Sequence, residues 1–346
     1  MTMLAREISS QEKDLYNSHV RHPLQSWEWG EFRKETGLEI ERVGFFQSGQ
    51  LKSAFQVTFH KIPIIGGTVG YLPKGYAPDE NQLSSLKQLG KKHKAVFIKL
   101  EPNVASKPDD KSPQVGKLEK FLIENGVVPG RPLFTKFTFQ LDLTPSENQL
   151  FDNLQSKTRY NINLAHRKGV TIYEDSSQKG LEVYLSILQE TTHRQEFYAH
   201  SPQYFRKMWD QFKLSKTMRI FHAVYQNQVL ASWIIFIFEK TIYYPYGASR
   251  SIHRNVMASN LMMWEMIKFG KKENCTTFDM WGSLGPNPNP KNPWFGFHRF
   301  KKGYGGELVE FLGTYDYILN GPKYKIFTLA NSLRWKLLKL KAKLKL

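Results

Sequence analysis

Apolar residues alternate with polar ones in two short stretches that mirror each other across the chain. Residues 43–57 read as two apolar strands about a Ser48-Gly49 turn, and residues 223–235 repeat the design with Asn227 at the turn. After each hairpin comes a strand ending in an aromatic, proline-containing loop, GYLPKG at 70–75 and YPYG at 244–247. Each loop leads to a helix closed by a lysine pair, Lys91-Lys92 and Lys271-Lys272, and then to a strand, 96–101 and 277–281. A further helix (113–125; 294–303) and a closing strand (134–143; 308–319) complete each copy. The pattern predicts an α/β (α+β) fold of two tandem units with mixed, largely antiparallel sheets and a cleft between them.

The second unit opens at Thr144-Pro145-Ser146-Glu147, where threonine is a helix cap and glutamate the capping-box partner. The helix leads into KTRYNINLAHRKGV at 157–170, where Lys157, Arg159, Arg167 and Lys168 alternate with Tyr160 and His166. Such a stretch either carries phosphate contacts and base stacking or is a solvated helix face. In the tail from Pro322, Leu333, Leu337, Leu340 and Leu344 share one stripe, with six basic residues from Arg334 onward. That helix lies on an anionic membrane or docks on a domain by its leucines.

Composition narrows the classes. A chain of 346 residues with 40% hydrophobic residues buries a sizeable core. A net charge of +18 suits nucleic acid, anionic lipid or phosphorylated substrates. Cys275 stands alone, which fits a reducing cytosol, a buried hydrophobic role and no zinc site. The first residues lack the apolar core of a signal peptide, and the longest nearly apolar run, 229–238, is about half a spanning helix. No metal and no cofactor is implied.

Chemistry concentrates at 278–316, read as strand, proline-rich loop, aromatic helix and strand, with Phe300, Lys301 and Lys302 before the flexible run GYGG. Four stretches taken together, SWEWGEFR at 26–33, GYLPKG at 70–75, KTRYNINLAHRKGV at 157–170 and FKKGYGG at 300–306, resemble the FemABX family of aminoacyl-tRNA-dependent peptidoglycan aminoacyltransferases. The resemblance covers nearly the whole chain. It implies two domains of the GCN5-related acetyltransferase (GNAT) type, with no coiled-coil arm because no heptad segment is present. Residues 1–146 with 314–346 would form the first domain and 147–313 the second. It implies transfer of an amino acid from aminoacyl-tRNA to the stem peptide of lipid II or UDP-MurNAc-pentapeptide, in the cytoplasm or at the inner face of the plasma membrane, with the basic tail meeting anionic lipid.

An aminoacyl ester is already activated, so such a site must position a neutral amine and stabilise an oxyanion. Lys301, at the family's Phe-Lys position, would supply that charge and Phe300 would shield it. Glu101, ending a strand, is either the proton acceptor or a structural carboxylate, and Asp279 is its counterpart in the second copy. The resemblance places Arg33, Trp29, Lys74, His200 and Tyr204 on the precursor, Arg33 against a phosphate; where the family has arginine this chain has His200, and Arg194 is the substitute. Arg33 could instead pair with Glu31 or Glu35. Lys157, Arg159, Arg167 and Lys168 would take the tRNA acceptor arm. Two rivals remain, an acyl-CoA-dependent N-acyltransferase of the same fold and a non-catalytic RNA- or membrane-binding protein. Against coenzyme A, residues 250–259 hold no glycine to expose backbone N–H groups to a pyrophosphate, and Val256 and Met257 would obstruct it.

Overall fold

The computed structural model describes residues 3–110, 112–195 and 199–343, with side chains as far as Arg334 in the last helix. From the N-terminus run β1 (Leu4–Glu7), α1 (Lys13–Asn17), α2 (Trp27–Glu35), β2 (Glu39–Gln47), β3 (Gln50–Lys61), β4 (Thr68–Pro73), α3 (Glu80–Lys92), β5 (Ala95–Glu101), β6 (Ala105–Ser106), α4 (Pro113–Glu124), β7 (Val127–Pro129) and β8 (Phe137–Asp142). There follow α5 (Glu147–Asp152), α6 (Ser156–Lys168), β9 (Thr171–Glu174), α7 (Gln178–Gln195), α8 (Pro202–Phe212), β10 (Met218–Tyr225), β11 (Gln228–Phe238), β12 (Thr241–Ser249), α9 (Ala258–Lys272), β13 (Thr277–Ser283), α10 (Phe295–Lys302), β14 (Glu307–Phe311), β15 (Tyr315–Ile318) and α11 (Gly321–Lys343).

Two mixed sheets result, in the orders β1-β2-β3-β4-β5-β15-β7 and β6-β14-β8-β13-β12-β11-β10-β9. The repeat read from the sequence is the shared middle of both: an antiparallel hairpin, a third antiparallel strand, a crossover helix and a parallel fourth strand. Both hairpins turn through two left-handed residues, Ser48-Gly49 and Gln226-Asn227, the conformation that matches the twist of the flanking strands. No coiled-coil arm occurs among the described residues.

The sheets do not divide at residue 146. Strand β8, expected to close the first unit, lies between β14 and β13 of the second sheet. The single closing strand expected over 308–319 is two strands: β14 stays in the second sheet, and β15 crosses to the first, between β5 and β7. Gly313, at φ 106°, supplies the bend that only glycine adopts freely. The cap of α5 is also displaced: Ser146 caps it with Gln149 as box partner, while Thr144 bonds to Asp142.

One apolar layer joins the halves. Trp27, Trp29 and Phe32 pack in the same cluster as Leu181, Phe205, Met208 and Phe236, so the tryptophan pair is interdomain core. On the other side β15 is pinned by a buried ion pair, Lys99 Nζ to Asp316 Oδ1 at 2.6 Å, and Tyr324 donates to Asp316 Oδ2 at 2.9 Å. Deleting one member of such a pair leaves a buried charge without its partner. Asp316→Ala should therefore cost about 3 kcal/mol or more in urea unfolding, and adding Lys99→Met should recover most of it. A loss below ~1 kcal/mol would mean that β15 is not held this way.

Candidate active site at the parting of two strands

Parallel strands β12 and β13 pair only from Thr241–Tyr243 to Thr277–Asp279. Beyond that point β12 continues along β11, while β13, already paired with β8 through Thr277–Asp279, bulges and resumes that pairing through Gly282 and Ser283. The bulge is made by Trp281 in a left-handed conformation, φ 61°, and Asp279 holds it: its Oδ1 accepts from Trp281 N–H and from the Thr138 hydroxyl, both at 2.7 Å. Gln140 donates to Oδ2 at 3.1 Å. A cleft of about 670 Å³ opens between the diverging strands, walled by Tyr244, Tyr246, Trp281 and Ser283 and by Phe297, His298, Phe300 and Lys301 of α10. In the first half β4 stays paired with β5 as far as Pro73 and Glu101, so the matching wedge is closed.

Lys301 is 3% exposed. Its Nζ donates to the carbonyls of Gly282 at 2.7 Å and Trp281 at 3.3 Å, and lies 4.9 Å from the Phe297 ring centre. An ammonium has three N–H donors, so one remains for the cleft. Burial lowers its pKa from 10.5 to about 7, with Asp279 opposing that fall. Phe300 sits edge-on to Trp233 and Tyr304 beside it. One turn earlier, buried His298 meets the Ser283 hydroxyl at 3.0 Å. Lys302 is exposed.

Helix α6 begins against the end of α10. Gln155 N–H donates to Gly303 O at 3.0 Å, and a Cβ at Gly303 would meet the Thr158 hydroxyl at about 2.4 Å. At 100° per residue, Lys157, Tyr160, Arg167 and Lys168 fall within about 100° of one another on an exposed side. Arg159 lies off that stripe and donates to the carbonyls of Asp152 and Leu154.

The cleft reaches a second cluster where the halves meet. His200 is in its wall and stacks on Tyr204 at 3.8 Å; Tyr204 stands edge-on to Phe32, and Arg33 lies 5.8 Å from the Tyr204 ring centre. Glu31 pairs with Lys34 and Arg42, so the ion pair available to Arg33 is not made, and Arg33 has no carboxylate partner among the described residues. Burial and then Arg33 lower the pKa of His200.

Other expected groups lie elsewhere. Trp29, 8% exposed, is interdomain core and is not in the wall of this cleft. Glu101 accepts at Oε1 from Thr314 OH and the N–H groups of Leu133 and Phe134 and at Oε2 from Tyr71 OH, which makes it a tie between segments. Arg194 is not in the cleft wall itself; it bonds to the hydroxyls of Ser251 and of Ser249, a wall residue. Lys74 is buried at φ 52°, 2.9 Å from the centre of the Phe311 ring, with its pKa lowered to about 8 by burial and held up by Asp279 and Glu101. Val256, 2% exposed, is turned into the core, so it does not obstruct the approach to α9, where Arg254 of the preceding loop and Ser259 of the first turn reach the cleft wall. Sequence reasoning missed Tyr244, Tyr246, Trp281 and His298; their only signal is the aromatic spacing around the two proline loops.

A family model described as "FemAB family" matches residues 8–124, 131–223 and 213–332. This chain belongs to the FemAB family. Curated relatives include the lipid II:glycine glycyltransferases of Staphylococcus haemolyticus and Staphylococcus aureus, each 23% identical over 92% of this FemAB chain and 94% of theirs. Those alignments run over 402 and 400 positions, more than the 346 residues here, so the relatives carry segments without counterpart in this chain. A crystal structure of FemX shares the fold with a TM-score of 0.82 at 21% identity, covering 93% of this chain and 99% of that one. A tandem GNAT protein from the clavulanic acid pathway superposes with a TM-score of 0.54 at 10% identity, over 92% and 98% of the two chains.

The buried lysine makes a stability statement. With a folded pKa near 7 against an ordinary 10.5, the native state binds fewer protons than the unfolded chain between those values, so stability rises with pH there. Lys301→Met removes that dependence. Its Tm relative to wild type should fall steadily from pH 7 to pH 10, measured by calorimetry; a flat difference would mean the ammonium carries no burial penalty.

Proposed function

We propose that this FemAB protein moves an amino acid from aminoacyl-tRNA to an amine on the stem peptide of a peptidoglycan precursor, lipid II or UDP-MurNAc-pentapeptide. The observation that carries it is Lys301, a buried ammonium with one N–H left over, in the wall of the cleft. The amine nitrogen bonds to the ester carbon, the third N–H of Lys301 meets the oxyanion, and the carbon–oxygen bond to the ribose then breaks. The proton lost by the amine ends on the ribose oxygen that leaves, so no oxidant or cofactor enters. Phe300 and Phe297 keep water from the lysine.

Arg33, with His200 and Tyr204 beside it, takes a phosphate of the precursor, and the outward stripe of α6 takes the tRNA. The acceptor's chemistry puts the work in the cytoplasm, and a lipid-linked acceptor brings the protein to the inner membrane face through its basic tail. The acyl-CoA reading keeps one point in its favour, because the start of α9 is open to the cleft beside Arg254. The basic stripe of α6 next to α10 favours tRNA.

Single-turnover transfer from a panel of charged tRNAs to each precursor, with acyl-CoA donors in parallel, tests the reading. Lys301→Met should lower the transfer rate roughly a hundredfold with substrate affinities nearly unchanged. Lys302→Met, pointing about 100° away, should cost far less. Transfer from acyl-CoA alone, or equal modest losses in both variants, would defeat it. A separate titration addresses α6: removing one lysine or arginine from a tRNA phosphate should lower the slope of log affinity against log salt by about 0.7 to 0.9. Alanine at Lys157, Arg167 and Lys168 should flatten that slope, whereas Arg159→Ala should lower Tm and leave the slope nearly intact.

A further inference from the structure

Helix α11 is docked by one face only. Tyr324 and Phe327 stand against Phe97 at 5.1 and 5.2 Å, in a small cluster with Ile62, Ile65, Val69 and Val96. Of the four leucines read as a stripe, Leu333 has a described side chain, and it is turned to solvent. At 100° per residue, Ile326, Leu329 and Leu333 fall on the stripe turned away from the sheet, and they are 55%, 64% and 52% exposed. Leu337 and Leu340 continue the same spacing, with side chains beyond the described ones, and Leu344 lies outside the described residues.

The loop between β3 and β4, whose Ile65 packs in the cluster with Tyr324 and Phe327, presents Ile64, fully exposed at φ 70°. A β-branched residue adopts that conformation at a cost, and no core contact at Ile64 repays it. Loop and helix touch: a Cβ at Gly66 would lie 4.0 Å from Lys323 Nζ. Exposed Lys61 and Lys94 flank the loop, and Lys325 follows on the helix. Residues 60–70 and 320–346 contain no aspartate or glutamate, and the second stretch carries eight lysines and arginines.

We infer that the Ile64 loop and the outward face of α11 together seat the protein on an anionic phospholipid bilayer. The aliphatic side chains enter the boundary between headgroups and acyl chains, and the lysines meet lipid phosphates. Charge selects this occupant. A second copy joined through the same face would set lysine against lysine with no carboxylate to relieve it. A nucleic acid would satisfy the lysines and leave four large aliphatic groups without a partner. The inference gives a surface to the membrane association proposed for a lipid-linked acceptor and rests on that reading for location only, not for the transfer chemistry.

The test is sedimentation of the full chain with phosphatidylcholine vesicles, with and without phosphatidylglycerol, at two salt concentrations. The variants are Ile64→Ser with Leu329→Ser, the same pair with Leu333→Ser, and Lys323→Gln with Lys325→Gln. Wild type should bind the anionic vesicles and weaken tenfold or more on neutral ones and in high salt. The serine variants should lose at least tenfold on anionic vesicles while keeping their Tm, and the double variant serves if the triple one melts early. Transfer to a water-soluble acceptor should be unchanged in all of them, which reads the catalytic proposal separately. Absence of wild-type binding, equal binding by the serine variants, or a wild-type dimer that these variants dissociate would overturn the inference.

Discussion

Asp279 holding the amide of Trp281 is the interaction on which the site depends. Two residues after the last parallel pair, that bond fixes a left-handed bend in β13, which keeps β8 as its partner beyond the bulge and leaves β12. The carbonyls of Trp281 and Gly282 then face Lys301, and the cleft exists because β12 has no partner on that side. A carboxylate so placed also opposes the desolvation of two buried lysines, Lys301 and Lys74. Without that negative charge both ammonium groups would lose their largest compensation.

The duplicated architecture has put this device in one half only. In the first sheet the corresponding strands stay paired to their ends, and Glu101, at the matching strand end, binds two hydroxyls and two backbone amides. One carboxylate opens a strand and the other ties segments together. The halves are then locked by exchange of closing strands and by the layer that contains Trp29, Phe32 and Phe205. The junction can therefore carry Arg33, His200 and Tyr204 from both halves in one fixed arrangement.

Much of this is legible in the residues alone. Period-two alternation with left-handed turn residues marks both hairpins, lysine pairs close both crossover helices, and the aromatic spacing around Lys301 marks the helix that carries it. What stays hidden is long-range. Alternation in 134–143 and 308–319 identifies strands without saying which sheet they join, and the bend at Gly313 is a single residue in an otherwise continuous pattern. Trp27 and Trp29 look alike whether they meet a ligand or another domain. The leucine spacing of the tail defines a face but not its direction, and Tyr324 and Phe327, on the docked side, carry no stronger signal. Val256 reads as an obstruction because side-chain size is legible in a sequence and side-chain direction is not.

Acyl transfer in the wedge between β12 and β13 is best tested by a crystal structure with a non-hydrolysable aminoacyl-adenosine amide. The amide carbonyl oxygen should lie within hydrogen-bond distance of Lys301 Nζ, at about 2.7–3.2 Å, with the adenosine toward Arg254 and the start of α6. An analogue seated at the Arg33 and Tyr204 cluster, or one with its carbonyl turned away from Lys301, would contradict that assignment.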